Sequence, residues 1–241
     1  MYHAHSPGSD PFRRNSCPFR TVTNVMNRML PALLLCLALS SEAQMPPRRT
    51  VEGNVVTSAH DPAVRLELPR PARYVGVERW DLYGVADCEL HVWVEADERK
   101  VIQRLYWIQF EEFLPTKPES RYRYPFTRTT RLGGLEFDVR ARFGATGGTP
   151  RPDSDGGHVE AMVKAAGYQF AAGTMNVRLV HLPDAEKRKE LMIIYIESLD
   201  AMGLAAADLE PGGKAASRWP ELERGLIERA TERVKLARLP D

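Results

Sequence analysis

Two neighbouring β-favouring runs, residues 85–95 and 101–112, carry the side chains best suited to chemistry. Their odd-numbered positions hold Glu89, His91, Trp93, Trp107, Gln109 and Glu111. If the odd positions of both runs face the same way, these side chains form one surface. Such a surface is too polar for a dry core and too aromatic for a solvated face, so we expect it to be half-buried.

This half-buried surface predicts a ligand site, because small-molecule sites combine aromatic walls with a few polar groups that fix orientation. We expect a sheet-lined cavity that binds a small, partly apolar or amphipathic ligand. The side chains predicted to contact it are His91, Trp93, Trp107, Gln109 and Glu111. Arg121 and Arg123 join this candidate set because basic and aromatic residues interleave there, and guanidinium groups bind anions.

Two other functions stay open. The first is an exported hydrolase-type enzyme that pairs His91 with Glu89 or Glu111, since paired titratable groups on a partly buried face are where pKa values are tuned. The second is a protein-interaction module of the cell envelope. No catalytic residue is assigned, because residues 44–241 contain neither G-x-S-x-G nor S-x-x-K. Cys88 lies on the apolar side of its run, where packing is the ordinary role of a cysteine.

Cofactors, metals and nucleic acid are not predicted. The sequence has no nucleotide-binding glycine loop, no C-x-x-C and no pair of histidines at helical spacing. Its 33 basic and 32 acidic residues leave a net charge of +1, so no overall field attracts nucleic acid. Any partner should therefore be recognised by a local patch.

The N-terminal region predicts export. Residues 26–43 combine Arg28, an apolar run and the small residues Ser41 and Ala43, which is typical of a secretory signal peptide. The preceding residues 1–25 show no apolar periodicity and form an extension, which suggests that translation starts at Met26. The apolar run is too short for a transmembrane helix, which needs about 20 residues. We expect a single mature domain, 44–241, in the periplasm or outside the cell and without a transmembrane segment.

The elements that must position these residues are mainly strands. Alternating apolar and polar residues predict strands in the two runs above and in several further segments. The polar residues 97–100 predict the turn of an antiparallel hairpin. The other segments with strand character are 64–68, 74–83, 135–143, 175–182 and 191–199.

Two helices complete the expected fold. Asp155 is the predicted N-cap of a short helix that ends at Gly167. Pro220 lies in the first turn of a longer C-terminal helix whose apolar stripe extends to Val234. The sequence therefore predicts an α+β fold: a twisted, predominantly antiparallel sheet of about six or seven strands, packed against the C-terminal helix and one shorter helix.

Overall fold

The computed structural model describes residues 45–148 and 150–240. The predicted signal peptide, Met26–Ala43, and the extension 1–25 lie outside the described residues. Within those residues, no helix combines the length and the apolar character needed to cross a bilayer.

Strands dominate the described part of the chain. In chain order they are β1 (Thr50–Glu52), β2 (Val55–Ser58), β3 (Val64–Glu67), β4 (Arg73–Leu82), β5 (Ala86–Ala96), β6 (Val101–Phe113), β7 (Arg128–Leu132), β8 (Leu135–Ala145), β9 (Gln169–Phe170), β10 (Gly173–His181), β11 (Lys189–Ser198) and β12 (Lys235–Arg238). The helices are α1 (Asp155–Ala165), α2 (Ala206–Leu209) and α3 (Trp219–Arg233), with short 3-10 turns at Asp200–Met202 and Ala216–Arg218.

The strands form two sheets. The larger has the order β4-β5-β6-β11-β10-β8-β7, and the short strand β9 pairs in parallel with the start of β6. The smaller sheet has the order β1-β2-β3-β12, and all its pairs are antiparallel. The α+β prediction is confirmed, and β11 is central as its continuous apolar run suggests. The sequence predicted one sheet, and the smaller sheet was not predicted.

The two faces of the larger sheet have different coverings. On the inner face, Trp93 and Tyr106 pack with Leu66 of the smaller sheet and Leu226 of α3. On the opposite side, which we call the α1 face, Leu90, Val92 and Trp107 pack with Val159 and Val163 of α1. Each buried strand of the hairpin therefore contributes side chains to two separate cores.

The helix boundaries correct two expectations. Ser154, not Asp155, is the N-cap of α1, and its hydroxyl accepts a hydrogen bond from the Gly157 amide at 3.2 Å. Asp155 is the first helical residue, where its negative charge is favoured by the helix dipole. Val234 ends α3 in an extended conformation, so that Leu236 of β12 can pair with β3 and join the inner core.

Candidate functional site

The β5–β6 register divides the predicted ligand surface. Trp93 lies opposite Tyr106, whereas Trp107 lies opposite Val92. Directly opposed residues in antiparallel strands point to the same side of the sheet. The expectation that the odd positions of both runs share one face is therefore wrong. His91 and Trp93 lie on the inner face, and the α1 face carries Trp107, Gln109 and Glu111.

On the inner face, the buried residues Glu89 and His91 form a network with Arg49 and the partly exposed Tyr74, and we call this set the Glu89 cluster. The His91 Nε2 atom lies 3.0 Å from Glu89 Oε1, and the Tyr74 hydroxyl lies 3.2 Å from His91 Nδ1. The backbone amides of Arg48 and Arg49 donate to Glu89 at 2.7 and 2.9 Å. The Arg49 guanidinium contacts Glu89 at 3.4 Å, which completes an ion pair under the start of the smaller sheet.

Charge in the Glu89 cluster is well compensated. Burial opposes ionisation of Glu89, but hydrogen bonds from His91 and Arg48 and the charge of Arg49 together lower its pKa to about 2. Burial and the Glu89 charge raise the pKa of Tyr74 to about 12, so this phenol stays protonated. We assign Nε2–H of His91 as the donor to Glu89 and Tyr74 as the donor to Nδ1. His91 is fully buried, and each of its two ring nitrogens has a hydrogen-bond partner within the protein.

Trp93 belongs to the same core. It is fully buried, its ring centroid lies 4.7 Å from that of Tyr74, and its Nε1 donates to the Gly53 carbonyl at 3.4 Å. These contacts are typical of a structural tryptophan whose polar edge has found a partner.

On the α1 face, a ladder of hydrogen bonds follows β6. Trp107 Nε1 donates to Gln109 Oε1 at 2.6 Å, and Gln109 Nε2 donates to Glu111 Oε1 at 2.5 Å. The Tyr122 hydroxyl donates to the other oxygen of Glu111 at 3.1 Å. Trp107 and Glu111 are each only 8% exposed, so the ladder is nearly closed to water.

Further acidic groups adjoin this ladder, and we call the whole set the Glu111 cluster. Its members are Cys88, Trp107, Gln109, Glu111, Tyr122, Tyr124, Asp155, Arg178 and Glu190. Tyr124 donates to Glu190, which also lies 3.5 Å from the Arg178 guanidinium. Asp155 Oδ1 and Arg178 Nε are buried with no hydrogen-bond partner among the described residues.

Charge in the Glu111 cluster is poorly compensated. Burial, followed by the charges of Glu190 and Asp155, raises the pKa of Glu111 well above its usual range. Burial likewise raises the pKa of Glu190 and of Asp155. Strong upward shifts of this kind are enriched at sites that bind ligands or transfer protons.

The Glu111 cluster also contains the atoms that could hold a metal ion. Ligand atoms of Cys88, Glu111 and Asp155 lie within 4.8 Å of one another, close enough to contact one ion. Two features oppose metal binding. Burial raises the pKa of the Cys88 thiol, and metals require the thiolate. Both oxygens of Glu111 already accept hydrogen bonds from Gln109 and Tyr122.

Basic and aromatic residues alternate in the segment 121–124, and its aromatic side chains point towards the rest of the protein. Tyr122 is buried and Tyr124 reaches Glu190, whereas Arg123 is exposed. Arg121 donates to the carbonyls of Pro118 and Ser120 at 2.6 and 2.8 Å. The candidate arginines are therefore outside the Glu111 cluster. In the sequence these arginines alternate with aromatic residues. Because aromatic rings bury more apolar area, this alternation favours an orientation with the rings inside and the arginines outside.

An open cleft lies farther along the α1 face. This α1 cleft has a volume of about 810 Å³ and is bounded by α1, β9 and the adjoining ends of β8 and β10. Its apolar lining includes Val163, Tyr168, Phe170 and Ile196, and its polar lining includes Thr146, Thr174, Glu160 and Lys164. Glu160 and Lys164 form an ion pair, which neutralises both charges. The sequence interpretation identified none of these residues as a ligand site.

Comparisons with family models, with curated proteins and with solved structures found no match for this chain. Functional inference therefore depends on the geometry of the Glu89 cluster, the Glu111 cluster and the α1 cleft.

Proposed function

We propose that the protein binds a small, partly apolar molecule in the α1 cleft. The observation that carries this proposal is the combination of size and lining. A volume of about 810 Å³ suits a small organic ligand. We therefore propose the same ligand class as the sequence predicts, but we place its binding site in the cleft beside α1 and not at the tryptophans of the hairpin.

The chemistry of the lining supports a partly apolar ligand. Phe170 and Ile196 are half-buried and supply apolar contact area without belonging to the fully buried core. The hydroxyls of Thr146 and Thr174 supply a few polar contacts. Thr146 already donates to the Ala171 carbonyl, so it positions the cleft wall, whereas Thr174 faces the cleft from β10.

A pair of matched variants tests this location. We expect Ile196→Gln to weaken binding of a fluorescent fatty acid about tenfold, because an Ile side chain contributes about 1.5–3 kcal/mol when an apolar surface covers it. Ile194→Gln is the control, since Ile194 lies two residues away on the same face but does not line the cleft. Equal affinity of wild type and Ile196→Gln would place the ligand elsewhere.

The second candidate function is acid–base catalysis, and the observation that favours it is the carboxyl group of Glu111. A buried acid with a raised pKa beside a second carboxylate is a common arrangement for general acid–base chemistry. The groups proposed for a hydrolase-type reaction are therefore Glu111 and Asp155, rather than His91 and Glu89. A hydrolase screen comparing wild type with Glu111→Gln and His91→Gln tests it: only Glu111→Gln should abolish an activity found in wild type.

Export remains part of the proposal. Residues 26–43 are the proposed signal peptide, and cleavage after Ala43 would give a mature chain that begins at Gln44. Intact-mass measurement of protein recovered from the periplasm or medium tests this expectation. A protein that retains residues 26–43 would contradict it.

A further inference from the structure

The apolar floor of the α1 cleft continues into a polar row. The strand register places Ile196 opposite Asn176, and Asn176 opposite Arg142. Opposed residues of antiparallel strands share a face, so Asn176 and Arg142 lie on the α1 face with Ile196. Neighbouring strands are about 4.8 Å apart, which puts the Cα atom of Arg142 about 10 Å from that of Ile196. An extended arginine side chain can cover much of this distance.

The polar row has an uncompensated positive charge. Arg142 is exposed and Asn176 is half-buried, and neither has a side-chain hydrogen bond or ion pair with any residue in the described part of the chain. Arg140, two residues before Arg142 on β8, is likewise exposed and has no side-chain partner among the described residues, but it lies opposite Arg178, farther from the cleft. Two other cations on this face are paired. Lys164 is paired with Glu160, and Arg178 contacts Glu190. Arg142 is therefore free to pair with an external anion.

We propose that the ligand of the α1 cleft is an anionic amphiphile whose carboxylate binds Arg142 and Asn176. This inference rests on the function proposed above and specifies its ligand class. A guanidinium group can donate two parallel hydrogen bonds to a carboxylate, and the Asn176 amide can add a third donor. The apolar part of the molecule would then lie on Ile196 and Phe170, which line the adjoining cleft.

The test uses the full chain and two probes that differ only in charge: a fluorescent fatty acid and its methyl ester. Wild type should bind the acid about tenfold more tightly than the ester, because charge-assisted hydrogen bonds to the carboxylate are lost in the ester. Arg142→Gln should weaken binding of the acid about tenfold and leave binding of the ester within about twofold.

Arg123→Gln is the matched control. It removes the same charge from another exposed arginine, one that the interleaved sequence pattern had suggested as a ligand contact. We expect it to leave the preference for acid over ester unchanged. Equal losses of acid affinity in Arg123→Gln and Arg142→Gln would indicate a long-range charge effect and overturn the specific role of Arg142.

The outcomes also separate this inference from the proposed function. If wild type binds acid and ester equally, and Ile196→Gln weakens both, the cleft is the site but the anionic ligand class is wrong. If wild type binds neither probe, both the proposed function and the inference about Arg142 are wrong.

Discussion

Glu89 and Glu111 are both buried on the β5–β6 hairpin, yet they lie on opposite faces of the sheet and differ in charge. Glu89 accepts hydrogen bonds from His91, from the amides of Arg48 and Arg49, and from the Arg49 guanidinium. Among the described residues, Glu111 accepts hydrogen bonds only from the neutral groups of Gln109 and Tyr122. The donors to Glu89 and the Arg49 charge lower the pKa of Glu89, whereas burial and the charges of Glu190 and Asp155 raise the pKa of Glu111.

The difference supports a structural role for the Glu89 cluster and is the reason we propose a functional one for the Glu111 cluster. The Glu89 cluster joins the residues before β1 to the larger sheet, and its charges are matched within the protein. The Glu111 cluster has buried polar atoms without partners among the described residues and has carboxyl groups close together, and both features cost folding free energy. Natural proteins tolerate such local conflicts mainly where function requires them.

The largest predicted effect concerns Glu89→Gln. This variant should lower the free energy of unfolding at neutral pH by about 3 kcal/mol, because the buried Arg49 charge loses its partner. Urea unfolding measures the change. Glu67→Gln is the control, since Glu67 pairs with Arg65 at the exposed surface and should cost less than about 1 kcal/mol.

The loss of stability caused by Glu89→Gln should become smaller as pH falls. The folded-state pKa of Glu89 lies below its unfolded value, so its contribution is present above the ordinary glutamate pKa and is lost as pH falls towards about 2. The stability difference between wild type and variant should shrink over that range. A difference that is constant down to the acid limit would show that Glu89 does not act through its charge.

Glu111→Gln should change the free energy of unfolding less than Glu89→Gln does, and it should raise this free energy rather than lower it. The folded protein keeps a proton on Glu111 that the unfolded chain releases, so the free energy of unfolding falls as pH rises from the ordinary glutamate pKa to the raised one. Glutamine resembles the protonated acid and removes this dependence. We expect the variant to be about 1 kcal/mol more stable than wild type at mildly alkaline pH. Unfolding curves across the pH range measure it, and parallel curves for the two proteins would contradict it.

The sequence pattern was sufficient for the long strands of the larger sheet but not for the relation between their faces, and it did not predict β1, β2, β7, β9 or β12. Alternation of apolar and polar residues correctly predicts β5, β6 and the turn at residues 97–100. Near that turn, Ala96 lies opposite Ile102, a register that would also place His91 opposite Trp107. A bulge follows, with Gln103 as the extra residue, so that Glu95 pairs with Arg104. A shift by one residue moves every later side chain to the other face.

Long-range contacts explain why the two clusters were not predicted as such. Arg49 lies 40 positions before Glu89, and Tyr124 lies 66 positions before Glu190. Period-two patterns describe which side of a strand a residue occupies, but they do not identify the segment that covers it. The α1 cleft depends on the same information, since its lining comes from one helix and several strands.

The smallest predicted effects compare Tyr74→Phe with Tyr122→Phe, each of which removes one hydroxyl donor. Tyr74→Phe should cost about 1 kcal/mol, because the Tyr74–His91 contact is a typical single hydrogen bond. Tyr122→Phe should cost less near neutral pH, because a protonated Glu111 is a weaker acceptor than a carboxylate.

The cost of Tyr122→Phe should then increase as pH rises and Glu111 ionises, since hydrogen bonds to a charged acceptor are about twice as strong as neutral ones. Its pH dependence should disappear in a Glu111→Gln background, which keeps the acceptor neutral at every pH. Stability measurements on the four combinations of these two substitutions provide the test. If the cost of Tyr122→Phe does not change between about pH 6 and 9, Glu111 has the same charge throughout this range, and the electrostatic contrast between the two clusters is wrong.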